Sequence, residues 1–260
     1  MKHWRFLLAL WKANILSTME YRAAFITQVV GMMLNDGFYF LFWVIFFGRF
    51  EEINSWGLQD MFILFGLVAA GFGLGAFLFG NTFMLSEIIS KGQLDYYLAL
   101  PRPVLLHTIA SRSLSSGLGD FLYGLLSFAV ARQLGVGTIA RFILGTLLSM
   151  IIFLSFMIAV NSLAFWLGNT QMLGNQVFNA LVTFSIYPIN LFEGGARFLL
   201  YTLIPAAFIG AVPAGFVSNF SWQDFWLLLG VASLLLFLAI FVFNRGLRHY
   251  ESGSAIQVQV

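Results

Sequence analysis

The chain has 260 residues and a formal net charge of +2; 60% of its residues are hydrophobic and only 9% are charged. Soluble domains carry about 25% charged residues, so this composition excludes a soluble fold. The small net charge gives no reason to expect a nucleic-acid partner, and the absence of cysteine excludes disulfides and thiolate metal sites. We therefore predict an all-α integral membrane protein.

The first predicted element is a helix over residues 1–22. Its apolar residues recur at helical spacing, as Trp4, Leu7, Leu8, Trp11 and Ile15. Because Lys12, Asn14 and Glu20 interrupt any longer apolar run, we predict a helix that lies in the cytoplasmic interface of the membrane. The alternative is that these residues are the ordinary beginning of the first membrane-spanning helix.

Six further segments are apolar over roughly the 20 residues that a helix needs to cross about 30 Å of hydrocarbon. They are residues 23–47, 61–85, 114–130, 142–167, 177–192 and 225–243. We predict one transmembrane domain over 23–244, with six spanning helices, followed by a cytoplasmic tail over 245–260.

Residues 196–217 are also apolar, but Pro205 and Pro213 interrupt them. Proline removes a backbone donor and clashes with the preceding turn, so an uninterrupted helix is not expected there. We predict a re-entrant hairpin of two short helices before the last span. The alternative is a seventh, kinked span.

The distribution of lysine and arginine predicts the orientation. With six spans, the side that carries the N-terminus would hold Lys2, Arg5, Lys12, Arg22, Lys91, Arg102, Arg112, Arg245 and Arg248. The opposite side would hold Arg49, Arg132, Arg141 and Arg197. Because positive residues favour the cytoplasmic side, both termini are predicted to be cytoplasmic. The absence of cysteine fits a bacterial inner membrane.

Motifs for nucleotides, cofactors and metals are not found in the sequence. There is no G-x-x-x-x-G-K-[ST] motif for ATP, and Gly71-x-Gly73-x-x-Ala76 lies inside an apolar span, where small residues let helices approach closely. His107 and the two other histidines have no second ligand at metal spacing. We therefore expect no cofactor in this chain.

Two carboxylates, Asp36 and Asp120, fall inside predicted spans. A charge at that depth costs about 2.5–3.5 kcal/mol on insertion scales, and such residues usually face a bundle interior or a watery path. One interpretation makes them part of a substrate path. The other makes them a structural pair that packing against Asn35 or nearby glycines stabilises.

The connection between the second and third spans, residues 86–103, mixes charged with apolar side chains. We predict that it forms a short cytoplasmic helix at about 86–100 whose exposed apolar patch docks a partner. The residues predicted for this role are Glu87, Ile88, Lys91, Gly92, Leu94, Asp95, Tyr97, Leu98 and Pro101. The alternative is a helix that lies on the membrane face.

Within this connection, the run from Ile88 to Pro101 resembles the pattern I-x-x-G-x-L-D-x-x-L-x-x-P of permease subunits of type 2 ABC exporters. The resemblance implies six spans per subunit and a dimer, formed with a second copy or with a paralogue. It also implies that separate ABC ATPase subunits, which bind ATP and magnesium, dock on the short helix. The hairpin at 196–217 would cap the exit side.

The predicted function is therefore export of a hydrophobic or amphipathic substrate across the inner membrane, powered by that ATPase. An aromatic-rich chain with 31 phenylalanines tolerates such a substrate but does not specify it. The alternative is an ion-coupled secondary transporter or channel that uses Asp36 and Asp120. An intramembrane enzyme acting on lipid would need a clustered acidic or histidine site, which the sequence does not suggest.

Overall fold

The computed structural model of the chain describes residues 2–132 and 134–250, and for residues 2 and 3 the backbone alone. Over this part of the chain every secondary-structure element is a helix, and a single isolated β-bridge pairs Ile53 with Trp56. The all-α class is thus confirmed for these residues. Most of the predicted tail, residues 251–260, lies outside the described residues.

The described residues form thirteen α-helices. They are α1 (Lys2–Met19), α2 (Arg22–Phe47), α3 (Leu58–Leu78), α4 (Leu85–Ser90), α5 (Leu94–Leu98), α6 (Val104–Ala110), α7 (Ser115–Val130), α8 (Val136–Ser162), α9 (Ala164–Leu167), α10 (Gln171–Ser185), α11 (Gly194–Thr202), α12 (Ala211–Ser218) and α13 (Trp222–Leu247). Short 3₁₀ segments cover Gly80–Met84, Ile189–Leu191 and Pro205–Phe208.

Four stretches of helix in the described chain are long and apolar enough to cross a membrane: α2, α3, α8 with α9, and α13. The predicted third and fifth spans correspond to α7 and α10, which have 16 and 15 residues. At about 1.5 Å per residue they rise about 24 and 22 Å, which is less than the hydrocarbon thickness of about 30 Å. The structure therefore supports several crossings and does not establish six.

The N-terminal helix α1 is separate from α2. The chain leaves helical geometry at Glu20 and Tyr21, and α2 begins at Arg22. The Trp11 indole nitrogen donates to the Leu78 carbonyl at 2.8 Å, and the Asn14 amide donates to the Ala110 carbonyl at 3.0 Å. Side chains of α1 thus hold it against the ends of α3 and α6.

The centre of the bundle is α3, which packs closely against α7. A Cβ atom added to Gly117 of α7 would lie 2.7 Å from the Gly73 carbonyl oxygen and 2.8 Å from the Phe77 nitrogen of α3. Only glycine allows the two backbones to approach this closely. The glycines of α3 therefore serve helix packing, as predicted, and α7 is positioned by backbone contact.

Residues 194–218 form two short helices that are bent by 61° where they meet. In the middle of this segment, the Ser149 hydroxyl of α8 donates to the Ile209 carbonyl at 2.9 Å. The chain just before the segment lies at the end of the bundle that carries the loop after α2, because Asn54 donates to the Asn190 carbonyl at 2.9 Å. The segment ends near Ser218, which lines one cavity with Asn190 and Trp56.

Candidate functional site

The predicted coupling segment is not one helix. We call residues 85–103 the elbow; it contains α4 and α5, separated by a turn in which Gly92 has a φ of +72°. A left-handed backbone conformation favours glycine and ends α4, and the Gln93 nitrogen then donates to the Ile88 carbonyl at 3.0 Å. The prediction of a single helix over about 86–100 was wrong because this glycine reverses the backbone.

Two apolar side chains that were predicted to be exposed are buried. Leu94 is 0% exposed and Ile88 is buried with it, in a cluster that includes Ile158 of α8 and Phe243 of α13. The expectation of an exposed patch was wrong for these two residues, because the elbow folds back on the ends of α8, α9 and α13. The elbow is therefore fixed to the bundle by an apolar inner face.

We call the exposed residues of the elbow its outer face; Tyr97 does not belong to it, because it packs against the inner cluster. Leu98 is 42% exposed, and Tyr96, which was not singled out from the sequence, is 67% exposed. Lys91 forms an ion pair with Glu87 at 2.5 Å. In full, Lys91, Leu98 and Pro101 are exposed, and Glu87, Gly92, Asp95 and Tyr97 are half-buried.

A surface cavity of about 370 Å³ lies beside this face. It is lined by Asn81, Met84, Glu87, Ile88, Gln93, Tyr96, Tyr97 and Arg112. At the edge of the elbow, burial and the neighbouring Asp95 raise the pKa of Tyr250 to about 12, so this phenol stays protonated. The elbow thus presents charged, aromatic and apolar groups together.

His107 connects the elbow to α1, which the sequence did not suggest. Its ring is buried and makes edge contacts with the rings of Phe6 and Tyr97, at centroid distances of 5.0 and 5.1 Å. The Arg102 guanidinium lies 4.7 Å from the centre of the Phe6 ring. Burial and the Arg102 charge lower the pKa of His107. The partners come from distant segments, so no local pattern could have identified this junction.

The two carboxylates predicted inside spans come together, although they are far apart in the sequence. Asp36 of α2 and Asp120 of α7 line one cavity of about 300 Å³. The other residues that line it are Met32, Asn35, Tyr39, Phe65, Val68, Ala69, Phe72, Phe178, Asn179, Val182, Thr183 and Ile186. The cavity therefore lies between α2, α3, α7 and α10.

The two carboxyl groups lie within hydrogen-bonding reach of each other. Asp120 is 2% exposed and Asp36 is half-buried. One oxygen of each carboxyl is buried without a hydrogen-bond partner among residues 2–132 and 134–250. Within the same part of the chain, neither carboxyl forms an ion pair with lysine, arginine or histidine. An acidic pair with unused acceptor atoms thus faces a partly open cavity.

Polar side chains also occupy the outward face of α10, next to this cavity. Asn175, Gln176, Asn179 and Thr183 are exposed there, and Asn35 is exposed on the neighbouring α2. The buried residues Gly174, Leu181 and Ser185 lie on the opposite face of α10. Polar groups in a membrane helix rarely face lipid, so this flank is not an ordinary lipid-facing surface.

Comparison with known proteins identifies the family. The sequence profile of the family described as ABC-2 family transporter protein matches residues 33–254, which is most of the chain. No curated protein and no solved structure gives a match. The matched region includes the elbow and both carboxylates, and the resemblance found at residues 88–101 is confirmed. The chain belongs to the ABC-2 family of transporter proteins, whose members are membrane transport components.

Proposed function

We propose that this chain is the transmembrane permease subunit of an ATP-driven exporter. It moves a hydrophobic or amphipathic substrate out across the inner membrane, powered by a separate ATPase that docks on the elbow. The observation that carries this proposal is that the elbow has one buried face and one exposed face. Its inner face is part of the protein core, whereas Tyr96 and Leu98 on its outer face are exposed.

An element buried in this way transmits motion. Protein interiors are close-packed, so a displaced core side chain forces its neighbours to move. A push on α4 and α5 is therefore passed through Ile88 and Leu94 to Ile158 of α8 and Phe243 of α13. A bundle with two stable helix arrangements then changes from one to the other. The energy comes from ATP and magnesium in the partner subunit.

The outer face of the elbow suits a protein partner. Aromatic and apolar side chains in a polar rim are typical of interface centres, and the exposed Tyr96 lines one cavity with Glu87, which forms an ion pair with Lys91. The adjacent cavity of about 370 Å³ gives a partner side chain a place to insert. A helix lying only on lipid headgroups would gain nothing from such a cavity.

The topology of the proposed permease has six spans, with α7 and α10 completed by their flanking residues. Residues 194–218 then form a re-entrant hairpin. This is supported by the Ile209 carbonyl, which lies at the middle of α8, while Asn190 and Ser218 lie together at the end of the bundle opposite the elbow. The start of α1 and the end of α13 lie on the elbow side, and the excess of Lys and Arg assigns this side, with both termini, to the cytoplasm.

The proposed subunit works as a dimer with a second copy or a paralogue. The exposed polar face of α10 and Asn35 of α2 support this, because a second permease would cover polar groups that lipid cannot satisfy. The cavity that Asp36 and Asp120 line then opens towards the dimer interface and forms part of the substrate path.

The absence of native cysteine allows a direct test of docking. We would introduce Tyr96→Cys on the elbow and Glu51→Cys at the opposite end, purify each from native membranes with its ATPase, and add a thiol-to-amine crosslinker. We expect the Tyr96→Cys variant alone to capture a P-loop ATPase. Capture of no ATPase, or equal capture by both variants, would refute docking on the elbow.

The ion-coupled secondary transporter remains the second candidate, because Asp36 and Asp120 meet in one cavity. The two mechanisms differ in their energy source. Substrate export that stops when the Walker lysine of the copurified ATPase is replaced supports the exporter. Export that continues and instead collapses with a protonophore supports the ion-coupled transporter.

A further inference from the structure

We propose that the cavity between α2, α3, α7 and α10 is a binding site for a monovalent organic cation with an aromatic or apolar body. This inference rests on the proposed transport role, since it names the chemical class of substrate that the path accepts. It is carried by the unpartnered Asp36–Asp120 pair and by the aromatic wall around it.

The charge of the pair follows from its geometry. Two ionised carboxylates that line one small cavity repel each other, and a proton held between them relieves this repulsion. With one shared proton the pair carries a single negative charge. No lysine, arginine or histidine lines the cavity in the described part of the chain. The charge that would balance the pair is therefore available only from a ligand, and a monovalent cation matches it.

The unused oxygen atoms make a purely structural pair an incomplete explanation. A structural carboxyl pair normally uses its remaining acceptor atoms on neighbouring donors. Asp120 is 2% exposed, yet one of its oxygens has no partner among residues 2–132 and 134–250, and the same is true of one oxygen of Asp36. The positive charge of an ammonium or pyridinium group next to the pair would stabilise both of these unpartnered oxygen atoms.

The cavity walls select an organic cation over a metal ion. Tyr39, Phe65, Phe72 and Phe178 supply aromatic rings, which attract cations through their faces and pack against apolar groups. A volume of about 300 Å³ reaches the range of small-molecule pockets and far exceeds the space that a bare ion needs. Asn179 and Thr183 lie on the α10 side, where they offer hydrogen bonds to a polar substituent.

The site can be tested with a matched pair of probes. The full chain in lipid nanodiscs would be titrated with the fluorescent cation 4-(4-dimethylaminostyryl)-N-methylpyridinium and with its neutral isostere 4-dimethylamino-4′-methylstilbene. Empty nanodiscs give the signal from partition into lipid, which is subtracted. We expect the cation to bind at least tenfold more tightly than the isostere. Equal binding of the two probes would overturn the proposal.

Substitutions then locate the site. In Asp36→Asn with Asp120→Asn, affinity for the cation should fall at least tenfold while affinity for the isostere is unchanged. Asp224→Asn, the same chemical change in the first turn of α13, should bind as the wild type does. Phe178→Ala tests the aromatic wall without changing a carboxyl group, and it should lower the affinity for the cationic probe several-fold. Preserved cation preference in the double variant would place the site elsewhere and overturn the proposal.

Competition separates the two sources of positive charge. Choline chloride, an organic ammonium salt, should displace the probe, whereas the same concentration of sodium chloride should not. Displacement by sodium with equal strength would assign the site to an inorganic cation and overturn the proposal. These measurements contain no ATPase and no nucleotide. Failure of cation binding and failure of ATPase capture on the elbow are therefore separate results.

Discussion

The elbow and the carboxylate cavity contrast in the polarity of their buried residues and of their surroundings. On the elbow, at an end of the bundle where solvent is close, Leu94 and Ile88 are buried in an apolar cluster. In the cavity, surrounded by apolar helices, Asp36 and Asp120 are held with unused acceptor atoms. The buried apolar residues fix the elbow firmly to the bundle. Under the proposed function, the elbow transmits force and the cavity recognises the substrate.

The largest expected effect tests the attachment of the elbow. Leu94→Ala should lower the free energy of unfolding by about 2–5 kcal/mol, because it leaves a void in a fully buried cluster. Leu98→Ala removes the same side chain one helical turn later, where it is 42% exposed, and should cost less than about 1 kcal/mol. Thermal unfolding in detergent measures both. Similar losses in the two variants would show that the elbow is not packed as described.

A smaller effect is expected where α7 meets α3 and holds Asp120 in the cavity. Gly117→Ala adds a methyl group within 3 Å of α3 backbone atoms and should cost about 1–3 kcal/mol by overpacking. Gly230→Ala is the matched control, because no heavy atom lies within 4 Å of the added carbon, and it should be neutral or slightly stabilising. The melting temperatures decide between them. If both alanine variants melt alike, the close approach of α3 and α7 is wrong.

The smallest effect is a pH dependence at the junction of the elbow and α1. Because the pKa of His107 is lowered in the folded protein, the unfolded chain binds more protons below about pH 6.5. Stability from this site is complete above that value and is lost as the pH falls through it. Wild type should therefore melt at a lower temperature at pH 5.5 than at pH 8.

The variant His107→Gln serves as the reference for this dependence, since it cannot take up the proton. The difference between its melting temperatures at the two pH values should be smaller than that of the wild type. An equal difference in the two proteins would assign the pH dependence to other groups.

The sequence predicted the membrane class and the family because those depend on composition and on a local motif. The last span could be predicted directly from its apolar run, and in the structure α13 begins after Ser221, whose hydroxyl accepts from the Asp224 backbone nitrogen. The meeting of Asp36 with Asp120 could only be suspected. It depends on α2 packing closely against α7, where Gly119 meets the backbone of Val29, and no spacing along the chain reveals this contact.

The elbow shows the converse limit of sequence interpretation. Leu94 and Leu98 are the same residue type, one helical turn apart, in a segment between two spans. Leu94, at the start of α5, belongs to the buried cluster, whereas Leu98, on the same face at the end of the helix, is exposed. Burial on a short helix is decided by neighbours that are distant in the sequence, so the motif identified the right segment but not which of its residues are buried.

The helix α1 forms hydrogen bonds to the chain on both sides of the elbow. Trp11 donates to Leu78, where α3 ends, and Asn14 donates to Ala110, where α6 ends. The segment between those two carbonyls contains the elbow, and hydrogen bonds hold both of its ends to the single helix α1. In the proposed exporter, a load on the elbow therefore reaches α1 at two points, one on each side of the elbow.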